Sequence, residues 1–144
     1  MGKRSESLYN LMMECMTESL KYRKWWLAAG YTLVAIVVYL SLHPSPPDTR
    51  GVFMGDKLLH GLTYIVLTVW FCQLYQQHQF KIVAASLFIL GVFVEIAQWG
   101  TGYRFFELAD IVANSSGIVI GWLLALKLLS KLFLSIEKLL IKPA

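Results

Sequence analysis

The chain has 144 residues, of which 57% are hydrophobic, and its formal net charge is +4. This apolar share, with a mean hydropathy of +0.57, exceeds that of most soluble domains. It argues against a soluble helical domain, which would have almost no polar surface left to dissolve it. Two cysteines, Cys15 and Cys72, are too few for a disulfide framework and lack metal-site spacing.

The apolar residues are concentrated in four blocks, each just long enough to cross a hydrocarbon layer of about 30 Å as a helix. The sequence therefore predicts an all-α, polytopic membrane protein, with four transmembrane helices in a small bundle and amphipathic terminal segments. The transmembrane domain is predicted over residues 25–129, with spans at about 25–42, 57–75, 82–99 and 110–129.

A basic tail, residues 1–24, precedes the first span. Its apolar residues recur at helical spacing, so it is predicted either as an amphipathic helix on the membrane or as a disordered tail. Trp25 and Trp26 then mark a membrane interface, where indole rings are enriched. The first span contains no charged side chain beyond this point, which is typical of an anchoring and packing helix.

The second span begins with a polar stripe. Asp56, His60 and Tyr64 follow one another at intervals of four residues, which places them on one face of a helix. A polar stripe at the mouth of an apolar helix is costly in lipid, so these side chains need partners within the protein.

Polar residues also mark the end of the third span and the start of the fourth. Glu95 and Gln98 are three residues apart and share a face. Asp110 and Asn114 lie on one side of the fourth helix, above two glycines that allow another helix to approach closely. Beyond it, residues 130–144 are predicted to continue as a basic cytoplasmic helix that binds anionic lipid.

The distribution of Lys and Arg predicts the orientation. Five lie in the N-terminal tail, one in the 76–81 turn and four from Lys127 onward, so ten of the 13 share one side. That side is predicted to be cytoplasmic, with both termini inside and the chain multi-pass in the cell (plasma or inner) membrane.

This topology brings the polar ends of the spans to the same depth near the outer surface. Polar groups at that depth are expected to converge on one pocket. Arg104 is expected to pair with Asp110 or Glu95, and Lys57 with Asp56 or Glu107. The predicted ligand-binding residues are Asp56, Lys57, His60, Tyr64, Glu95, Gln98, Arg104, Asp110 and Asn114.

The order and spacing of these residues resemble the VanZ-like membrane protein family. The motifs run from Asp56-Lys57-x-x-His60-x-x-x-Tyr64 through Glu95-x-x-Gln98 and Arg104 to Asp110-x-x-x-Asn114-x-x-Gly117-x-x-x-Gly121. The resemblance implies four spans in a bacterial cell envelope. It also implies a link to antibiotic resistance, through lowered susceptibility to the lipoglycopeptide teicoplanin, but it supplies no reaction.

The sequence leaves three functions open. In the first, Arg104 and Lys57 bind an anionic or lipid-linked envelope ligand, such as an envelope precursor or a glycopeptide, and no cofactor or metal is expected. In the second, the protein is a membrane enzyme with His60, Glu95 and Asp110 as catalytic candidates, or with a divalent cation held by such side chains. In the third, the polar groups only hold helices together in an assembly subunit.

Whether the protein is an enzyme is therefore undecided from the sequence. The expected partners are membrane lipids and the envelope ligand, and a homo-oligomer remains open. No basic-aromatic patch indicates nucleic acid, because the positive charge is explained by the predicted inner-face lysines and arginines.

Overall fold

The computed structural model describes residues 20–43, 55–102, 106–129 and 131–141, and within these ranges it contains α-helices and no strand. The predicted all-α class is thus confirmed for this part of the chain. A short 3₁₀ turn, Gln77–Gln79, leads into the third helix. The helices are α1 (Arg23–Leu42), α2 (Gly55–Cys72), α3 (Phe80–Gly100), α4 (Leu108–Lys127) and α5 (Leu132–Ile141).

Three stretches of the described chain are long and apolar enough to cross a membrane. They are Arg23–Leu42, Gln77–Gly100 and Leu108–Lys127. The predicted four-span bundle is therefore matched by three helices. Helix α2 differs because Asp56, Lys57 and His60 all lie within its first turns and lower its mean hydropathy.

Helix α2 nevertheless lies at the centre of the structure and makes its most extensive contact with α4. Gly117 and Gly121 of α4 form this contact. A Cβ atom on Gly121 would lie 2.8 Å from the carbonyl oxygen of Ile65, and one on Gly117 would overlap the carbonyl oxygen of Gly61. The two backbones are therefore in direct contact, as the spacing of small residues predicts.

At the end of the bundle where α1 begins and α2 ends, α5 packs against both helices through aromatic rings. Trp26 stacks on Phe133 with ring centroids 4.1 Å apart, and Trp70 meets both rings edge-on. The fourth span does not continue as one basic helix, because α4 ends at Lys127 and α5 begins separately at Leu132. The expected helical or disordered state of the N-terminal tail concerns residues 1–19, which lie outside the described part.

Beneath these rings, Glu137 of α5 is buried against the start of α1. Its carboxylate accepts hydrogen bonds from the backbone N–H groups of Lys21 and Tyr22, at 2.8 and 3.0 Å. It also accepts one from the indole Nε1–H of Trp26 at 2.8 Å. The carboxylate thereby binds the turn that leads into α1 and places a negative charge at the positive end of the helix dipole.

Candidate functional site

The candidate site begins at the N-terminus of α2. Asp56 and Lys57 lie in the first turn, and His60 follows one turn later. The Asp56 carboxylate is thus next to the positive end of the helix dipole. His60 Nδ1 lies 3.0 Å from the Asp56 carbonyl oxygen and 3.8 Å from carboxylate Oδ1, so Asp56 orients the ring.

Lys57 contacts three carboxylates, two of which connect α2 to the start of α4. Its ammonium group donates a hydrogen bond to Glu107 and lies 2.9 Å from Asp110 Oδ1 and 3.8 Å from Asp56 Oδ2. Both alternatives for Lys57, Asp56 and Glu107, are therefore present together, and Asp110 joins them. Asp110 is buried, whereas the Glu107 side chain is 50% exposed.

Glu95 connects α3 to the same cluster. Its buried carboxylate accepts a hydrogen bond from the backbone N–H of Glu107 at 2.9 Å, immediately before α4 begins. The expected partner of Glu95 or Asp110, Arg104, lies outside the described residues. Glu107 was not among the predicted ligand-binding residues, although its position three residues before Asp110 could have indicated that it belongs to the same cluster.

The remaining predicted residues are distributed around this cluster. Tyr64 and Asn114 meet over Gly91, where an added Cβ would lie 3.0 Å from the Tyr64 hydroxyl and 3.3 Å from Asn114 Nδ2. Gln98 is directed toward α1 instead, since its Nε2 donates to the Ser41 carbonyl oxygen at 2.9 Å. The structure thus places Gln98 in a helix–helix contact.

A cavity of about 200 Å³ opens beside this cluster, between α1, α2, the C-terminal half of α3 and the N-terminal half of α4. One side of it is polar and the other, contributed largely by α1, is apolar. Its lining residues are Val37, Leu40, Ser41, Asp56, Leu59, His60, Thr63, Tyr64, Val94 and Asn114.

Negative charge predominates in the described part of the cluster. Four carboxylates, those of Asp56, Glu95, Glu107 and Asp110, accompany a single ammonium group, that of Lys57. Asn114 Oδ1 is buried and accepts no hydrogen bond from any described residue. A buried acceptor without a donor is costly, so a cation or a hydrogen-bond donor is favoured next to Asn114.

Together, the fold and this cluster define a small helical membrane protein with a charged cavity between its helices. The sequence model of the VanZ/LLP1 family matches residues 2–133. The chain therefore belongs to the VanZ/LLP1 family, as its motifs indicated.

The chain is similar to a protein of the fission yeast Schizosaccharomyces pombe that is described as uncharacterized. The two chains are 32% identical over 106 residues, which is 71% of this chain and 63% of the relative. This chain thus spans less than two thirds of the relative's length. No solved structure matches the chain significantly.

Proposed function

We propose that the protein binds the polar head group of a lipid-linked ligand in the cavity at the α2 N-terminus. The observation that carries this proposal is the cavity's composition: Asp56, His60 and Asn114 line one side, and α1 contributes an apolar wall. An amphipathic ligand matches both sides, because its head group meets polar side chains while its hydrocarbon chain contacts apolar ones.

Lys57 follows Asp56, which lines the cavity, and supplies an ammonium group for an anionic head group. This ammonium group is paired with Glu107, and the Glu107 side chain is half exposed. A phosphate can therefore compete with Glu107 for Lys57, because an ion pair with a half-exposed partner contributes little to stability. Arg104, predicted from sequence to act with Lys57, would add a bidentate phosphate contact.

The proposal includes the orientation expected from the Lys and Arg distribution. The cavity faces the outside of a cell membrane, and both termini are cytoplasmic. An envelope precursor is then an accessible ligand, and tolerance to teicoplanin is one consequence that binding to such a precursor can have.

Binding is tested with the full chain in phosphatidylcholine nanodiscs, with undecaprenyl phosphate as the probe and undecaprenol as the head-group control. We expect the phosphate to bind at least tenfold more tightly than the alcohol, and the Lys57→Ala, Arg104→Ala double variant to lose this preference. Ser116→Ala is the matched control, because its hydroxyl bonds only the Val112 carbonyl oxygen of its own helix. Equal binding of phosphate and alcohol, or an unaffected double variant, would overturn the proposal.

A second function, a membrane enzyme, is favoured by one contact. The bond between His60 Nδ1 and the Asp56 carbonyl oxygen fixes the ring as a general base requires. Turnover of a labelled lipid precursor by the purified protein, abolished in His60→Gln, would establish this function. Binding without turnover would reject it.

A further inference from the structure

We propose that Asp56, His60 and Asp110 form a binding site for a divalent transition-metal cation, with Zn²⁺ or Mn²⁺ as the ion. One ligand atom from each residue lies within 4.8 Å of those of the other two. Ligand atoms around a cation at about 2.1 Å are about 3 to 4 Å apart. The three side chains therefore need to close by about 1 Å, which is within the reach of side-chain rotation.

The charge of the cluster supports a cation. Among the described residues, Lys57 forms ion pairs with three carboxylates, those of Asp56, Glu107 and Asp110, and Asp110 is 4% exposed. Carboxylates held close together repel one another unless protons or a cation compensate them, most strongly where one of them is buried. A divalent ion supplies this compensation.

Asn114 provides an independent observation. Its side chain is 4% exposed, and its Oδ1 accepts no hydrogen bond from the part of the chain that the structure describes. It lines the same cavity as Asp56 and His60. A metal ion, or a water molecule bound to one, would give this oxygen the partner it lacks.

The hydrogen bond of His60 prepares the ring for a metal. When Nδ1–H donates to the Asp56 carbonyl oxygen, 3.0 Å away, Nε2 is the ring nitrogen left to bind a metal. Metal-binding histidines commonly donate their other N–H to a carbonyl or carboxylate, which fixes the tautomer. Imidazole together with carboxylates suits Zn²⁺ and Mn²⁺ better than Mg²⁺.

Lys57 competes with the cation for Asp110 and Asp56. Its ammonium group lies 2.9 Å from Asp110 Oδ1, and it has a second partner in Glu107. Cation binding would leave Lys57 paired with Glu107 alone, so that the metal replaces the ion pairs with Asp56 and Asp110 and leaves the third. The site thus departs from the sequence prediction of no metal, because the spacing of its residues along the chain gave no metal motif.

The test uses the full chain in phosphatidylcholine nanodiscs after chelator treatment, with ZnCl₂, MnCl₂ or MgCl₂ as the only ligand. Calorimetry and elemental analysis are expected to give one Zn²⁺ or Mn²⁺ per chain and at least tenfold weaker Mg²⁺ binding. His60→Ala and Asp110→Asn each remove a direct ligand and should weaken binding by at least about 100-fold, the upper end of the effect of losing an outer-shell partner. His78→Ala is the control, because His78 is exposed in the 3₁₀ turn.

A gain-of-affinity variant keeps the test decisive if the loss variants fold poorly. Asn114→Asp adds a carboxylate beside the ion and should tighten Zn²⁺ binding about tenfold. Absence of stoichiometric metal, or equal losses in His78→Ala and His60→Ala, would overturn the site. These measurements contain no phosphorylated lipid beyond the phosphatidylcholine bilayer. Failure of metal binding therefore leaves the head-group proposal intact, and failure of undecaprenyl phosphate binding leaves the metal site intact.

Discussion

Carboxylates are buried at both ends of this bundle, but their surroundings differ. Glu137 accepts three hydrogen bonds from α1 and its preceding turn, at 2.8 to 3.0 Å. At the other end, within the part of the chain that the structure describes, Asp56, Glu107 and Asp110 share the ammonium group of Lys57. A buried charge whose acceptors are all occupied stabilises the fold. An excess of like charges with few donors is instead what a ligand-binding site contains.

The largest expected effect comes from the close contact between α2 and α4, on which both regions depend. In Gly117→Ala, the new methyl group would overlap the Gly61 carbonyl oxygen, so α2 and α4 must separate. We expect a loss of about 3 kcal/mol in unfolding free energy together with loss of Zn²⁺ binding, measured by thermal unfolding and calorimetry in nanodiscs. Gly100→Ala is the control, because nothing lies within 4 Å of its added Cβ.

The Glu137 region should give a similar loss of stability but no effect on the site. Glu137→Ala leaves two backbone N–H groups and the Trp26 indole without their acceptor. At about 1 kcal/mol for each partly buried donor, the unfolding free energy should fall by about 3 kcal/mol. Zn²⁺ affinity should not change. Glu137→Gln keeps an acceptor oxygen and should lose less; equal losses in the two variants would contradict the hydrogen-bond explanation.

The smallest effect on stability is expected at Asp110. In Asp110→Asn, Lys57 retains Glu107 as a partner, so we expect the unfolding free energy to change by at most about 1 kcal/mol. Metal binding should still be lost. A purely structural ion-pair network would instead lose about 3 to 5 kcal/mol on removal of one buried partner, and thermal unfolding distinguishes the two results.

The helical class and the close contact of α2 with α4 were accessible from the sequence. Both depend on local signals, namely long apolar blocks and the four-residue spacing of Gly117 and Gly121. The polar stripe of Asp56, His60 and Tyr64 was predicted in the same way, since helical spacing alone determines which face a residue occupies. These signals require no knowledge of distant partners.

The separation of α5 from α4 and the role of Glu137 could not be predicted from the sequence. The sequence showed a basic segment, and four lysines dominated its interpretation, while the partners of Glu137 are backbone groups more than 100 residues earlier. Backbone N–H groups carry no sequence identity, so no motif reveals such a contact. The choice among partners for Lys57 was open for a related reason: several carboxylates were at the same predicted depth.

The bonds of Glu137 to Lys21 and Tyr22 join residues separated by 116 and 115 positions. During synthesis, the start of α1 therefore cannot form these hydrogen bonds until residue 137 has left the ribosome. Insertion of the hydrophobic segments can proceed from first to last, but the hydrogen bonds at the start of α1 form only after α5 has been synthesised. Ribosome-stalled chains ending before position 137 should consequently leave the start of that helix open to proteases, while released chains protect it.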